Sequence, residues 1–264
     1  MVNDFEWTMH PIIDAHIHLD LYDQQERRLI LNDLEHYNIE ALISVSKDIR
    51  SAEMNVRLAE KHQAVRAAVG FHPEQSLPSI NEMTRLERLI ENDHDKLVAI
   101  GEVGLPYYTR QKNPRLSIEP YIEIVEHFIR IAKAYDLPIA LHAIYEDANL
   151  ICSLLEKHSL QDAHFHWFKG DQRTMERMIR NGYFISITPD VLYEPEIRQI
   201  VQVYPLSQMM VETDGPWAFK GPFKQQMTHP KMIHYTINEI AHLKGVNRHY
   251  VYEQIYEQTR SFYV

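Results

Sequence analysis

The chain has 264 residues, 45% hydrophobic and 24% charged, which excludes disordered, collagen-like and fibrous proteins and leaves room for a sizeable core without staples. Its 27 basic and 37 acidic side chains give a formal net charge of −10, which argues against a broad Lys/Arg surface for gripping nucleic acid. One cysteine, Cys152, stands against 16 histidines, so internal disulfides and thiolate metal clusters are ruled out.

The opening stretch, MVNDFEWTMH, carries Asp4 and Glu6 and lacks the basic and apolar regions of a secretory signal. No run of ~18 apolar residues follows anywhere, so the expectation is a cytoplasmic protein with no membrane span and no obligate protein partner. Strands are predicted at 12–18, 41–46, 64–71, 97–103, 138–143, 163–168, 183–188 and 208–213. Between and after them, helical patterns run at 24–37, 51–62, 80–93, 117–136, 147–158, 172–181, 195–203, 229–243 and 248–260. Residues 117–136 show the period well, with Ile118, Tyr121, Ile122, Val125, Phe128, Ile129 and Ala132 at three- and four-residue steps.

Strand followed by helix, repeated eight times, implies parallel strands joined by right-handed crossovers. Eight such units in this length fit a (β/α)8 TIM barrel, read as a single domain over residues 1–264. The rival is a doubly wound open sheet. With only 8 glycines and no GxGxxG or Walker-type loop after any strand, the chain favours the barrel.

A barrel enzyme carries its chemistry at the C-terminal ends of its strands. Here the first strand ends in His16 and His18, the third in His72 and the fourth in Glu102. The fifth ends in His142, the sixth in His164 and His166, and the eighth in Asp214. Histidines two apart on a strand share a face, so His16 and His18 can both project into the barrel mouth. A lone H-x-H also fits two histidines capping a strand. The joint pattern says more, because so many polar groups against a core cost desolvation energy unless they serve chemistry. Imidazoles without thiolates suit zinc, manganese, nickel, cobalt or magnesium, and the donors outnumber the three that one open catalytic zinc needs. Two divalent ions sharing Glu102 would use them, with Asp214 holding one ion and taking a proton from the attacking water.

The segments IIDAHIHLD (12–20), VGFHPE (69–74), AIGEVGLPYY (99–108), PIALHA (138–143), HWFKG (166–170) and VETDGPW (211–217) together resemble the TatD family of metal-dependent hydrolases, in the amidohydrolase superfamily. The resemblance implies that His16, His18 and Asp214 hold one ion, His142 and His166 the other, and Glu102 bridges the two. It also implies that His72 lies by the metals and touches substrate. Periodicity does not choose between His164 and His166. The motif chooses His166 and leaves His164 deeper in the strand.

Departures from the family pattern bear on the substrate. Pro106 stands where the family has an acid, Ile144 where arginine is common, Trp167 where a small residue is usual and Lys169 where serine is. Lys169 is expected to supply positive charge to the substrate in place of the missing arginine. The first reading of function is a phosphodiester hydrolase acting on a DNA 3′ end, that is, a deoxyribonuclease. The second is an amidohydrolase or lactonase of a small amide or ester, and the third a non-catalytic metal-binding or partner-binding protein.

Other features read as structure. Cys152 is a small core residue within a helix, and the run from Glu91 to Lys96 is a solvated helix end. The histidines outside the strand ends are surface or packing residues. Trp217 and Phe219, after the Asp214 turn, either stack on a ring or pack the loop. Asp14 pairs with a metal ligand if it lies deep in the barrel.

Overall fold

Residues 10–264 are described by a computed structural model, and the secretory-signal reading falls largely on residues 1–9, outside the described residues. The strands are β1 (Ile12–Ile17), β2 (Ile39–Ser44), β3 (Val65–Val69), β4 (Leu97–Gly104), β5 (Ile139–His142), β6 (Ala163–Phe165), β7 (Phe184–Ile187) and β8 (Met209–Val211). Each pairs in parallel with the next, in the order β1 to β8. That unbroken order has no switch point, so the (β/α)8 barrel is found and the doubly wound sheet is excluded.

The ring is completed beyond the strand ends. The Asp214 N–H donates to the His16 carbonyl at 2.9 Å, and the His18 N–H donates to the Gly215 carbonyl at 2.8 Å. The Asp14 carboxyl accepts from the His16 N–H at 3.3 Å and from the Thr213 N–H at 2.9 Å and bonds the Thr213 hydroxyl, lacing β1 to the segment after β8. Burial pushes that carboxyl up to about 8.

The helices are α1 (Gln24–Asp33), α2 (Ile49–Lys61), α3 (Ile80–Asp93), α4 (Tyr107–Lys112), α5 (Glu119–Ala134), α6 (Glu146–His158), α7 (Gln172–Arg180), α8 (Pro195–Val203), α9 (Ile233–Lys244) and α10 (Arg248–Tyr263). Asp23, Asp48, Ser79 and Asp171 start α1, α2, α3 and α7 by accepting bonds from first-turn N–H groups that would otherwise be orphaned. The helix expected from residue 229 starts at Ile233, after a 3-10 turn at Pro230–Met232. The sequence reading missed α4, whose six residues are too few to display a helical period.

Apolar packing among the described residues forms two layers and a small third cluster of Phe219, Phe223 and Met232. The larger joins the outer faces of the strands to the helices, with Ile30, Val56, Leu86 and Phe128 meeting Leu42, Val69, Ile139 and Leu141. The smaller fills the barrel with Ile13, Ala15, Ile43, Ala68, Ala99, Ala140 and Met210, and Tyr263 of α10 packs into it. Cys152 is fully buried in the outer layer, where burial pushes its thiol up to about 12.

Ile13 and Ala15 lie in the barrel filling, so simple alternation would turn His16 outward. The β1–β2 register shifts between Asp14 and Ile17, and the β4–β5 register shifts between Ile100 and Val103 on β4. Such irregularities re-aim side chains, and here they bring His16 and Glu102 to the inside.

Two histidines away from the mouth link the fold to pH. The His234 Nε2–H donates to the Tyr37 carbonyl at 2.8 Å, and its Nδ1 shares a hydrogen bond with the Tyr252 hydroxyl at 2.8 Å. Burial pushes His234 down to about 4, and burial with Lys231 nearby does the same to His229. At these two sites the unfolded chain therefore binds more protons than the folded one below about pH 6.5. The stability each of these two sites contributes is whole above that pH and falls by about 2–3 kcal/mol toward pH 4.5, while the raised Asp14 carboxyl contributes the opposite slope. Urea midpoints of the wild type and of His234→Gln at the two pH values isolate the contribution of that site, and acidification should cost the wild type more than the variant.

Candidate metal centre

Apart from His164, the side chains named from strand ends gather around Glu102, which is fully buried. Its Oε2 lies 3.3 Å from His16 Nε2 and 3.2 Å from His18 Nε2. Its Oε1 lies 2.7 Å from His166 Nε2, 2.9 Å from His142 Nδ1 and 3.6 Å from His72 Nε2. Asp214 Oδ1 faces the first group, 3.6 Å from both His16 Nε2 and His18 Nε2. The histidines thus divide into two sets, one on each oxygen of a single carboxylate. The two sets touch, since the His16 ring stacks on His166 with centroids 3.9 Å apart.

Burial opposes the charge on Glu102, yet His166, His72 and His16 around it hold its carboxyl well below the usual range. Burial pushes Asp214 up to about 7 and His72 down to about 3. Among the described residues, both ring nitrogens of His16, Nδ1 of His18, Oε2 of Glu102, Nε2 of His142 and Nδ1 of His166 are buried without a well-formed hydrogen bond. So many orphaned polar atoms around one point are costly unless something else satisfies them. A divalent cation suits these donors, which are imidazole nitrogens and carboxylate oxygens with no thiol. Three groups of donor atoms lie close enough to hold an ion: His16, His18 and Asp214; His72, Glu102 and His142; and His16, His166 and Glu212.

Two carboxylates unnamed in the sequence reading back the histidines. Glu212 Oε1 lies 3.5 Å from His166 Nδ1, the nitrogen turned away from Glu102, and accepts from the Trp167 N–H at 2.7 Å. Glu74 Oε1 lies 3.4 Å from His142 Nε2 and accepts from the Tyr108 N–H at 2.7 Å. Partial burial would raise Glu74, but its bonds to His142, Thr109 and the Tyr108 N–H hold it near 2. Carboxylates placed behind a ligating imidazole fix its ring and its tautomer. A signal for Glu212 was present, because it stands two residues before Asp214, the spacing that paired His16 with His18. Glu74 lies in a loop, where spacing carries no such information.

His164 stays out of the cluster. Its Nε2 meets Ser186 Oγ at 2.7 Å and its Nδ1 meets the Tyr263 hydroxyl at 2.6 Å, deeper in the barrel. Lys169 also stays outside, with Nζ 5.1 Å from the centre of the Trp167 ring. Ile144 is buried, so no cation occupies that place. No helix among the described residues is long and apolar enough to cross a membrane.

Comparison with known proteins agrees with this architecture. The TatD related DNase family matches residues 13–264. A metal-dependent hydrolase of uncharacterized function from Haemophilus influenzae is 38% identical over 253 residues, covering 96% of this chain and 99% of its own length. Deoxyribonuclease TATDN3 of Homo sapiens is 29% identical over 245 residues, covering 89% of this chain and 88% of its own. The crystal structure of YJJV, a TatD homolog from Escherichia coli, superposes with a TM-score of 0.84 over 96% of this chain and 97% of its own, at 23% identity. With the family matched over nearly the whole barrel, the chain belongs to the TatD-related DNase family of metal-dependent hydrolases.

Proposed function

We propose that the chain hydrolyses phosphodiesters, as a deoxyribonuclease acting at a DNA 3′ end, with water activated between two divalent ions. The observation that carries this reading is the division of the histidines between the two oxygens of Glu102. His16, His18 and Asp214 would hold one ion, His142 and His166 the other, and Glu102 both. Ions so held would supply Lewis acidity at a phosphoryl oxygen and lower the pKa of water.

The chain's own residues account for the rest. Asp214 faces the first set through Oδ1 and accepts the proton of the attacking water as the bond from phosphorus to the leaving oxygen breaks. His72 lies within 3.6 Å of Glu102 and is 15% exposed, which suits contact with a substrate oxygen. Lys169 provides a cation at the rim. The human relative's name, a deoxyribonuclease, supports DNA as the substrate.

The second reading, hydrolysis of a small amide or lactone, is favoured by the buried Ile144, where no cation meets a phosphate. A panel of single-stranded DNA, RNA, cyclic amides and lactones, run with Zn²⁺, Mn²⁺ and Mg²⁺, separates the two. DNA cleavage that His142→Ala abolishes supports the first reading, and turnover of small amides or lactones alone replaces it with the second.

A further inference from the structure

A net charge of −10 argues against holding a polynucleotide chiefly by neutralising its phosphates. Of the cations after the strand ends, Arg110 is bound to Asp147 at 2.8 Å, and the Lys169 ammonium lies over the Trp167 indole. Aromatic rings, in contrast, are placed directly on the ligand-bearing segments. Trp167 follows His166, and Trp217 closes the turn begun by Asp214, its N–H donating to the Asp214 carbonyl at 3.1 Å.

These two rings meet across the mouth with centroids 6.3 Å apart, and their roles differ. Trp167 is anchored. Its Nε1–H donates to Asp190 Oδ2 at 2.8 Å, and Phe219 packs on it at 5.9 Å. Phe219 is only 5% exposed, whereas Trp217 leaves 64% of its surface in water. Of the two aromatics after the Asp214 turn, one therefore packs the loop and the other stays available. Trp217 is fixed through its backbone, since its carbonyl also accepts from the Thr228 hydroxyl, so the open ring stands on a rigid pedestal beside Asp214.

We propose that Trp217 is the stacking platform for an unpaired nucleobase next to the scissile phosphodiester, so that substrate is retained by stacking and by the metal centre rather than by surface charge. The inference rests on the phosphodiesterase reading above. Stacking of a base on an aromatic ring is sequence-tolerant, and its loss on alanine substitution corresponds to roughly tenfold or more in affinity. Because few phosphates would be neutralised, KM should rise by no more than about threefold between about 50 and 200 mM salt.

The test uses a single-stranded pentanucleotide with a 3′-terminal thymine and its counterpart with an abasic 3′ residue, on Mn²⁺-loaded protein. Affinity is read by fluorescence anisotropy and turnover by steady-state kinetics. Trp217→Ala is expected to raise KM and Kd for the thymine substrate roughly tenfold, leave kcat within about twofold and leave the abasic substrate unchanged. Trp217→Phe should restore most of the loss. Equal weakening of both substrates, no weakening of either, or a steep salt dependence would overturn the platform while leaving the phosphodiesterase reading intact. If the wild-type protein cleaves neither oligonucleotide, that reading falls and the platform with it.

Discussion

Glu102→Gln is expected to lower hydrolysis by at least about a hundredfold and to reduce bound metal to one ion per chain or fewer. The side chain is fully buried and meets His16 and His18 through one oxygen and His142, His166 and His72 through the other. Glutamine keeps the volume but has a single oxygen. Whichever way the amide turns, one histidine set faces an NH₂ donor where it had an anionic acceptor. An ion on that side would lose a ligand, and both sides would lose the negative charge that the carboxylate shared between them, whereas a purely structural Glu102 would tolerate so close an isostere. The check is elemental analysis of protein purified without chelator, alongside kcat/KM. Full activity with two ions retained would remove the shared-carboxylate assignment.

Glu212→Gln carries the second large effect, through a different route. Glu212 accepts from the Trp167 N–H and from Ser186 Oγ while facing His166 Nδ1 at 3.5 Å. A glutamine oxygen can still accept from Trp167, and Ser186 can rotate to receive the new NH₂ group, so the metal-free fold should keep its melting temperature. What disappears is the negative charge that holds the His166 Nδ1–H and turns Nε2 toward Glu102. The expected result is a 10–100-fold loss of metal affinity, measured by titration with competing chelator. A variant that binds metal as the wild type does would show that backbone and packing alone orient His166. Glu212→Asp, which keeps the charge on a shorter stem, should recover part of the loss.

How legible the site was in the sequence depends on the strand that carries each residue. On β5 and β6 alternation is undisturbed: Ile139 and Leu141 face the helices, as do Ala163 and Phe165, so His142 and His166 turn inward as the spacing implies. On β1 and β4 the pattern alone would mislead, because Ile13, Ala15 and Ala99 already occupy the inside. His16 and Glu102 reach the centre through register shifts, which follow from backbone pairing with neighbouring strands and leave no mark in a hydrophobicity pattern. Family resemblance, rather than periodicity, resolved the choice between His166 and His164. Glu74 was illegible for a simpler reason. Its link to His142 joins the loop after β3 to the end of β5, a contact made by the fold.

The place where the barrel ring closes has a mechanical consequence for metal binding. His16 and His18 lie on one side of that seam and Asp214 on the other, and among the described residues the line is held by two backbone bonds, Asp214 to His16 and His18 to Gly215, and by the Asp14 carboxyl accepting from the Thr213 N–H. An ion held by these three side chains would therefore staple the first strand to the last. Its removal should loosen this line before any other part of the ring, as local opening and not as global unfolding. Amide hydrogen exchange at His18 and Asp214 would then report occupancy of the metal centre from the backbone itself, without a substrate and without turnover.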